Sequence, residues 1–454
     1  MTEKELFERI NLEKAAQIFS GLYGEKEIDS QRQRYLTLIS KMRRGVFPGA
    51  ELDSASENIY VFSAPGRTEL AGNHTDHNRG KVLAASIQLD SAAIVRKRGD
   101  NIVFFRSEGF PDVKVKLTCE NGEPDLLPKP EETGMTEALV RGIAAEFYKR
   151  GCAVGGFSAN AASTVFPGSG LSSSAAVEVL FGRIFDSLYG GGNRSPLEIA
   201  QIGQIAENAY FGKPCGLMDQ TACASGGAVA IDFADTSKPL VKQIGFDLAS
   251  AGYILCVVNT GGNHADLTAD YASIPAEMKS VASFFGKSFL RELDKEAILN
   301  CAGGIREKLG DRALLRAIHF FDENERVDAM ALILQSMERA ERKAEREDAL
   351  DVYLDLINKS GESSWELLQN VYSPNSPQKQ GVTTALALTK NFISQLYMHG
   401  GACRVHGGGF AGTIQAYIPL SAMDEYRVYM ENIFGAGSVT PLRIRPKGAI
   451  ELVF

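Results

Sequence analysis

The stretch Pro167-Gly168-Ser169-Gly170-Leu171-Ser172-Ser173-Ser174-Ala175-Ala176 constrains this chain more than any other. It lies between an alternating apolar run, 155–165, and an apolar pattern of helical period, 175–188. A strand must stop there, turn sharply and feed a helix. Glycines let backbone approach an anion closely, and the first amides of a helix point their N–H groups at it. The serines at 172, 173 and 174 add hydroxyls that suit phosphate oxygens or magnesium. The loop lacks the Gly-Lys-Ser/Thr ending of a Walker A loop. Taken alone, it is explained almost as well by a Ser/Gly-rich helix cap with no ligand.

The rest of the chain sets that turn in a mixed α and β background. Residues 3–44 read as two polar helices broken at 21–24, followed by a loop from Phe47 to Asn58. Short β-like runs follow at 59–62, 82–87, 92–97 and 102–107, and a second helix after the serine turn spans 196–210. A polar spacer at 234–240 marks a domain boundary, which divides the chain into 1–238 and 239–454. The second half alternates strands (253–259, 412–418) with long helices, one of them at 325–358. The charge run from Glu338 to Lys343 on that helix reads as a solvated face with i, i+4 pairs.

Composition narrows the partners. The formal charge is −8 and no block of Lys and Arg suggests a nucleic-acid surface. No apolar run reaches the roughly 18 residues of a membrane span. The polar start Met1-Thr2-Glu3-Lys4-Glu5 carries no apolar signal stretch. The seven cysteines are scattered without a Cys-x-x-Cys pair, which points to reduced thiols in a cytoplasm.

Two further constellations carry chemistry. Ala64-Pro65-Gly66-Arg67-Thr68-Glu69-Leu70-Ala71-Gly72-Asn73-His74-Thr75-Asp76-His77-Asn78 crowds a cation, two carboxylates and two imidazoles beside a strand, more than a structural turn needs. His406-Gly407-Gly408-Gly409-Phe410-Ala411-Gly412 precedes an apolar strand and could cap phosphates, or be a plain glycine-rich hairpin. Together and in their order along the chain, the three motifs resemble the signature of GHMP kinases. The 64–78 stretch resembles the galactokinase sugar motif Gly-Arg-Val-Asn-Leu-Ile-Gly-Glu-His-Thr-Asp-Tyr-Asn. Glu207 to Gln220 is similar to the galactokinase segment ending Pro-Cys-Gly-Ile-Met-Asp-Gln, and His264 to Tyr271 keeps that family's spacing.

The resemblance implies an α+β, two-lobed GHMP kinase fold, with a ribosomal protein S5 domain 2-like N-terminal lobe and a ferredoxin-like C-terminal lobe. It implies a catalytic Asp219 partnered by Arg67. It also implies nucleotide contacts from Pro167, Gly168, Ser169, Gly170, Leu171, Ser172, Ser173, Ser174 and Ala175, and magnesium held by Glu207 with Ser174 or Ser173. Sugar contacts fall to Asn73, His74, Asp76, Gly216 and Tyr271. Four departures stand out: Asn73 and His77 where the family has Glu and Tyr, no Arg pair after Tyr271, Ser360-Gly361 for Ser-His, and an insertion near 30–56. The expected reaction is ATP-dependent phosphorylation of galactose at its anomeric hydroxyl. The alternatives are a kinase for a modified galactose such as galacturonate, and a non-catalytic sugar sensor. The expected partners are ATP and a small sugar, and a monomer is compatible with the sequence.

Overall fold

The computed structural model describes residues 1–44, 58–166, 168–262, 267–396 and 400–454. The loop expected at 47–58 lies outside those residues up to position 57, as do much of the 30–56 insertion, Pro167 and His264. Strands β1 (Ile59–Ala71), β2 (Lys81–Lys97), β3 (Ile102–Ser107), β4 (Val113–Lys116), β5 (Phe157–Ser163), β6 (Ala228–Asp232) and β7 (Leu240–Ile244) build a first sheet. A second, antiparallel sheet holds β8 (Tyr253–Asn259), β9 (Ala402–Val405), β10 (Thr413–Pro419) and β11 (Val439–Leu442) in the order β11-β8-β10-β9. The chain then returns, and β12 (Ile450–Glu451) pairs with β1.

The first sheet runs β12-β1-β2-β5-β3-β4, with β6 on the N-terminal half of β2 and β7 beside β6. The sheet therefore reaches past the boundary expected at 238/239, through β7 and again through β12.

β1 and β2 are longer than the sequence suggests because both faces of the sheet are covered. Phe62, Ala64, Val82, Ala84, Ala93 and Val95 face one core, against helices Thr136–Lys149, Ser173–Phe185, Pro196–Ala206 and Met218–Ser225. Their neighbours Val61, Ala92 and Ile94 face the N-terminal helices, while Leu83, Ala85 and Ile87 face the second half of the chain. This period-2 alternation carries β2 straight through Gln88 and Asp90, where the expected strands stopped.

The N-terminal region holds three helices where two were expected, Glu3–Arg9, Glu13–Tyr23 and Ile28–Arg44; the break expected at 21–24 falls at Gly24, and another separates Arg9 from Glu13. The expected helix 325–358 is two, Asp311–Arg339 and Lys343–Ser363. The chain turns at 340–342 so that Val327, Met330 and Leu334 on one, and Leu350, Tyr353 and Leu354 on the other, enter a single core.

Candidate active site

Arg67 starts the site. The β1–β2 register slips between Pro65 and Arg67 and again between Glu69 and Ala71, and such bulges re-aim the side chains beside them. At the first slip the serine turn docks on β1: the Arg67 amide donates to the Leu171 carbonyl at 3.1 Å. A Cβ on Gly66 would come 2.6 Å from that carbonyl oxygen, so only glycine admits the approach. The Arg67 guanidinium reaches Asp219 Oδ1 from Nε and from Nη2, each at 2.8 Å, and also donates to the Gly170 carbonyl. Burial alone would lower its pKa, but the carboxylates of Asp219 and Glu69 outweigh it and raise the pKa, so its charge is fixed.

Ser172 sits in the left-handed region (φ 58°) ahead of helix Ser173–Phe185. Its hydroxyl does not cap the helix; it donates to Asp219 Oδ2. The first intrahelical bond is Ala176 N to Ser172 O at 3.0 Å, so the amides of Ser173, Ser174 and Ala175 precede it. They form the positive end of the helix. Asp219, in the first turn of Met218–Ser225, keeps 33% of its side chain exposed between Arg67 and that helix end.

The loop after β1 is held from the second half of the chain. Helix Asp311–Arg339 supplies Glu323, whose Oε1 accepts from the Gly72 amide at 3.0 Å. It also supplies His319, whose Nε2 donates to the Asn73 carbonyl at 2.9 Å. Asn73 is fully buried and its amide is saturated. Nδ2 donates to Glu69 Oε1 (3.0 Å) and the Gly407 carbonyl (2.7 Å), while Oδ1 accepts from Asn370 Nδ2 (2.7 Å) and Ser364 Oγ (3.4 Å).

His74 (φ 59°) donates from Nε2 to the Gly408 carbonyl at 2.9 Å, and burial lowers its pKa to about 4, so the ring is neutral. Gly216 abuts Asp76, where a Cβ would fall on Oδ2. The Tyr271 hydroxyl donates to the Gly409 carbonyl at 3.0 Å, and burial pushes its pKa up to about 12.

Glu207 opens a π-helical turn, Glu207–Phe211. It accepts from exposed Lys213 Nζ at 3.1 Å and from Gln220 Nε2 at 3.0 Å. The same Gln220 nitrogen reaches buried Glu178 at 2.9 Å, whose pKa burial and the Glu207 charge raise well above the usual carboxylate range. A serine hydroxyl at 174 and a carboxylate at 207 on one cavity wall are hard oxygen donors that suit magnesium. Among the described residues no group of three or more His, Cys, Asp or Glu could hold a metal by itself.

These residues share one cavity of about 420 Å³. Arg67, Asn73, His74, Asp76, Gly168, Gly170, Leu171, Ser172, Ser173, Ser174, Glu207, Gly216, Asp219 and Tyr271 all line it. Ser169 and Ala175 are buried beside it rather than on its wall, with the Ser169 hydroxyl turned back to the Phe166 carbonyl at 2.6 Å.

The sequence reading passed over two features. One is a mostly apolar cavity of about 560 Å³ on the far side of the serine turn, with Phe110, Met135, Val177 and Phe211 among its walls; it shares Ser173, Ser174, Glu207 and Lys213 with the first. These apolar positions come from four separate segments and have no motif of their own. The other is Glu69, on the wall of the first cavity.

Two family models match the chain: GHMP kinases N terminal domain over residues 138–227, and galactokinase galactose-binding signature over 51–97. A galactokinase of Streptomyces coelicolor is 31% identical over 392 residues, covering 85% of this chain and 91% of that protein. The chain belongs to the galactokinase family. A crystal structure of Lactococcus lactis galactokinase complexed with galactose superposes with a TM-score of 0.72 at 25% identity, over 92% of this chain and all of that one. Methanococcus jannaschii mevalonate kinase, 13% identical, shares the fold with a TM-score of 0.55 over 85% of this chain and 98% of its own. The α+β architecture is thus that of galactokinases and other GHMP kinases. The galactokinase signature spans β1, the loop to Asn78 and β2, and the GHMP segment contains the serine turn, Glu207 and Asp219. All seven cysteines are unpaired, and among the described residues no helix is long and apolar enough to cross a membrane.

Proposed function

We propose that this chain transfers the terminal phosphoryl group of ATP to the anomeric hydroxyl of galactose, giving galactose 1-phosphate and ADP. The observation that carries this reading is Asp219, oriented by Arg67 and Ser172 and partly open to the cavity next to the N-terminus of helix Ser173–Phe185. A sugar hydroxyl is a poor nucleophile. A fixed carboxylate can take its proton as the new O–P bond forms and the bond to the ADP oxygen breaks. Arg67, locked in its charged form, steadies that carboxylate and offsets charge on the phosphoryl group in flight.

The loop from Gly168 to Ala175 cradles the phosphates with its backbone. The apolar cavity beyond it, walled by Phe110 and Met135, takes the adenine. Ser174 and Glu207 would hold magnesium, which when bound neutralises phosphate charge and fixes the phosphates' orientation. His74, Asp76, Gly216 and Tyr271 face the sugar, while Asn73, its amide saturated, shapes the wall. We also propose two lobes, 1–238 and 239–454, tied by β7 and β12, and a cytoplasmic enzyme, where ATP and free sugar meet.

Galactose is favoured over galacturonate because Arg67, the buried cation on the cavity wall, is already paired with Asp219. ADP release from ATP and magnesium, measured across galactose, galacturonate, N-acetylgalactosamine, glucose and arabinose, tests the reading. Galactose is expected to be the best substrate. Binding of galactose without turnover of any sugar would make the chain a sensor instead.

A further inference from the structure

Glu69 stands on β1 between the catalytic arginine and the sugar loop, and lines the same cavity. Its Oε1 accepts from Arg404 Nη2 at 2.6 Å and from Asn73 Nδ2 at 3.0 Å. Among the described residues no donor reaches Oε2, and that oxygen is not sealed inside the protein, so it opens onto the cavity. The unpartnered oxygens of two other buried carboxylates, Glu178 Oε1 and Asp186 Oδ1, are sealed inside the protein, whereas Glu69 Oε2 faces a cavity where a ligand can meet it. In the galactokinase motif quoted above, the position of Glu69 is Asn and that of Asn73 is Glu. This chain has the two interchanged. One amide and one carboxylate remain in contact, but the charge has moved four residues back along the chain and is anchored on a buried arginine.

We propose that Glu69 is a substrate-binding, specificity-determining residue of this chain. Oε2 accepts a hydrogen bond from a sugar hydroxyl, and the carboxylate excludes sugars that present a carboxylate at that wall. The proposal rests on the sugar-kinase reading above and deepens it. Residue 73 cannot do this work, because both of its amide hydrogens and its carbonyl are engaged by the protein. A charge-assisted acceptor in a closed cavity discriminates strongly, because like charges are weakly screened there and an unmatched polar group is penalised.

Glu69→Gln tests it. The glutamine carbonyl can keep Arg404 and Asn73, which turns an N–H donor towards the cavity where the acceptor had been. The Michaelis constant for galactose should rise about tenfold while that for ATP holds, and the preference for galactose over galacturonate should fall by about tenfold or more. Isothermal calorimetry with deoxygalactoses should show that removing one particular hydroxyl weakens binding to wild type but adds nothing in the variant.

Glu69→Asp guards against a folding defect, because it keeps a counter-charge for Arg404 and only withdraws the oxygen by one methylene. Its galactose constant should rise while galacturonate stays excluded. Unchanged galactose constants in both folded variants, with strictly additive deoxysugar losses, would overturn the proposal. If wild type turns over no sugar, the kinase reading fails by itself. Calorimetric galactose binding to the variants then still decides the role of Glu69.

Discussion

Asp90 and Asp219 are both aspartates held by arginine, and they mark two kinds of site in one molecule. Asp90, in the middle of β2, is fully buried with every oxygen saturated. Arg34 reaches Oδ1 at 2.6 Å, while Tyr23 at 2.6 Å, Arg445 at 3.2 Å and Ser63 reach Oδ2. Its partners come from the N-terminal helices, β1 and the segment leading to β12, so this one carboxylate ties the ends of the chain to the sheet. Asp219 has fewer anchors and stays partly open to a cavity. The lesson is one of enclosure. Where the fold both supplies partners and seals the group from solvent, the group holds structure, and where it leaves an oxygen open to a cavity, the group is available to a ligand. Glu69, with one oxygen engaged and one free, belongs with Asp219.

The comparison breaks most sharply by substitution. Asp219→Asn keeps the shape beside Arg67 and Ser172 but removes the proposed base. Turnover should fall by about 10²–10⁴-fold with ATP affinity nearly unchanged, measured by steady-state kinetics and nucleotide titration. A variant with more than about a tenth of wild-type turnover would remove Asp219 from the base role.

Asp90→Ala should do the reverse. It leaves two buried or nearly buried guanidinium groups uncompensated, and breaking a buried pair costs about 3–5 kcal/mol. Urea unfolding should show that loss, while the fraction still folded keeps its kcat/KM. Lost activity at unchanged stability would mean that the two aspartates are not divided as described.

The same contrast explains what the sequence could disclose. The groups proposed for catalysis sit in short contiguous motifs, so the 64–78 and 167–176 stretches were legible, and β3 and β8 carry their apolar runs within their own bounds. The Asp90 cluster gathers residues 23, 34, 63 and 445, and no local pattern announces such a union. The lengths of β1 and β2 were hidden for a related reason. Polar residues such as Asp90 look like strand ends until tertiary partners satisfy them. The turn at 340–342 was missed because it has neither Gly nor Pro; packing of both helices into one core sets it. Glu69 already departs from the Asn of the quoted motif, but the free oxygen that gives the exchange its meaning shows only in three dimensions.

A pH series sharpens the comparison at a third carboxylate. Glu323 is saturated like Asp90, with Gly72 N and Ser360 Oγ (2.6 Å) on Oε1 and Arg326 Nε (2.7 Å) on Oε2, yet it positions the sugar loop. Burial pushes its pKa up, but the Arg326 charge and the other partners outweigh that and bring it to about 2. A lowered folded pKa means the stabilisation is complete above the ordinary value of 4.5 and is lost as pH falls towards 2. The amount is on the order of 3 kcal/mol. Melting curves between those limits should converge for wild type and Glu323→Gln as the pH drops. A constant gap would show that Glu323 does not titrate there.

The smallest effect is expected at Glu207, which stands between the two kinds. Both its oxygens have partners, but one of them is Lys213, whose side chain is 62% exposed and free to swing away. An exposed lysine contact is worth little, so a dication beside Ser174 could displace it at small cost. Glu207→Gln keeps hydrogen bonding to the neighbours but removes the charge a hard cation prefers. Stability should barely change, because Gln220 still bridges to Glu178 and the lysine simply returns to water. The magnesium concentration for half-maximal rate should rise on the order of tenfold, with less change in the saturated rate. A magnesium titration that overlays wild type would return Glu207 to the saturated class, as a structural partner of Gln220, and leave the phosphates to hold the cation with Ser174 alone.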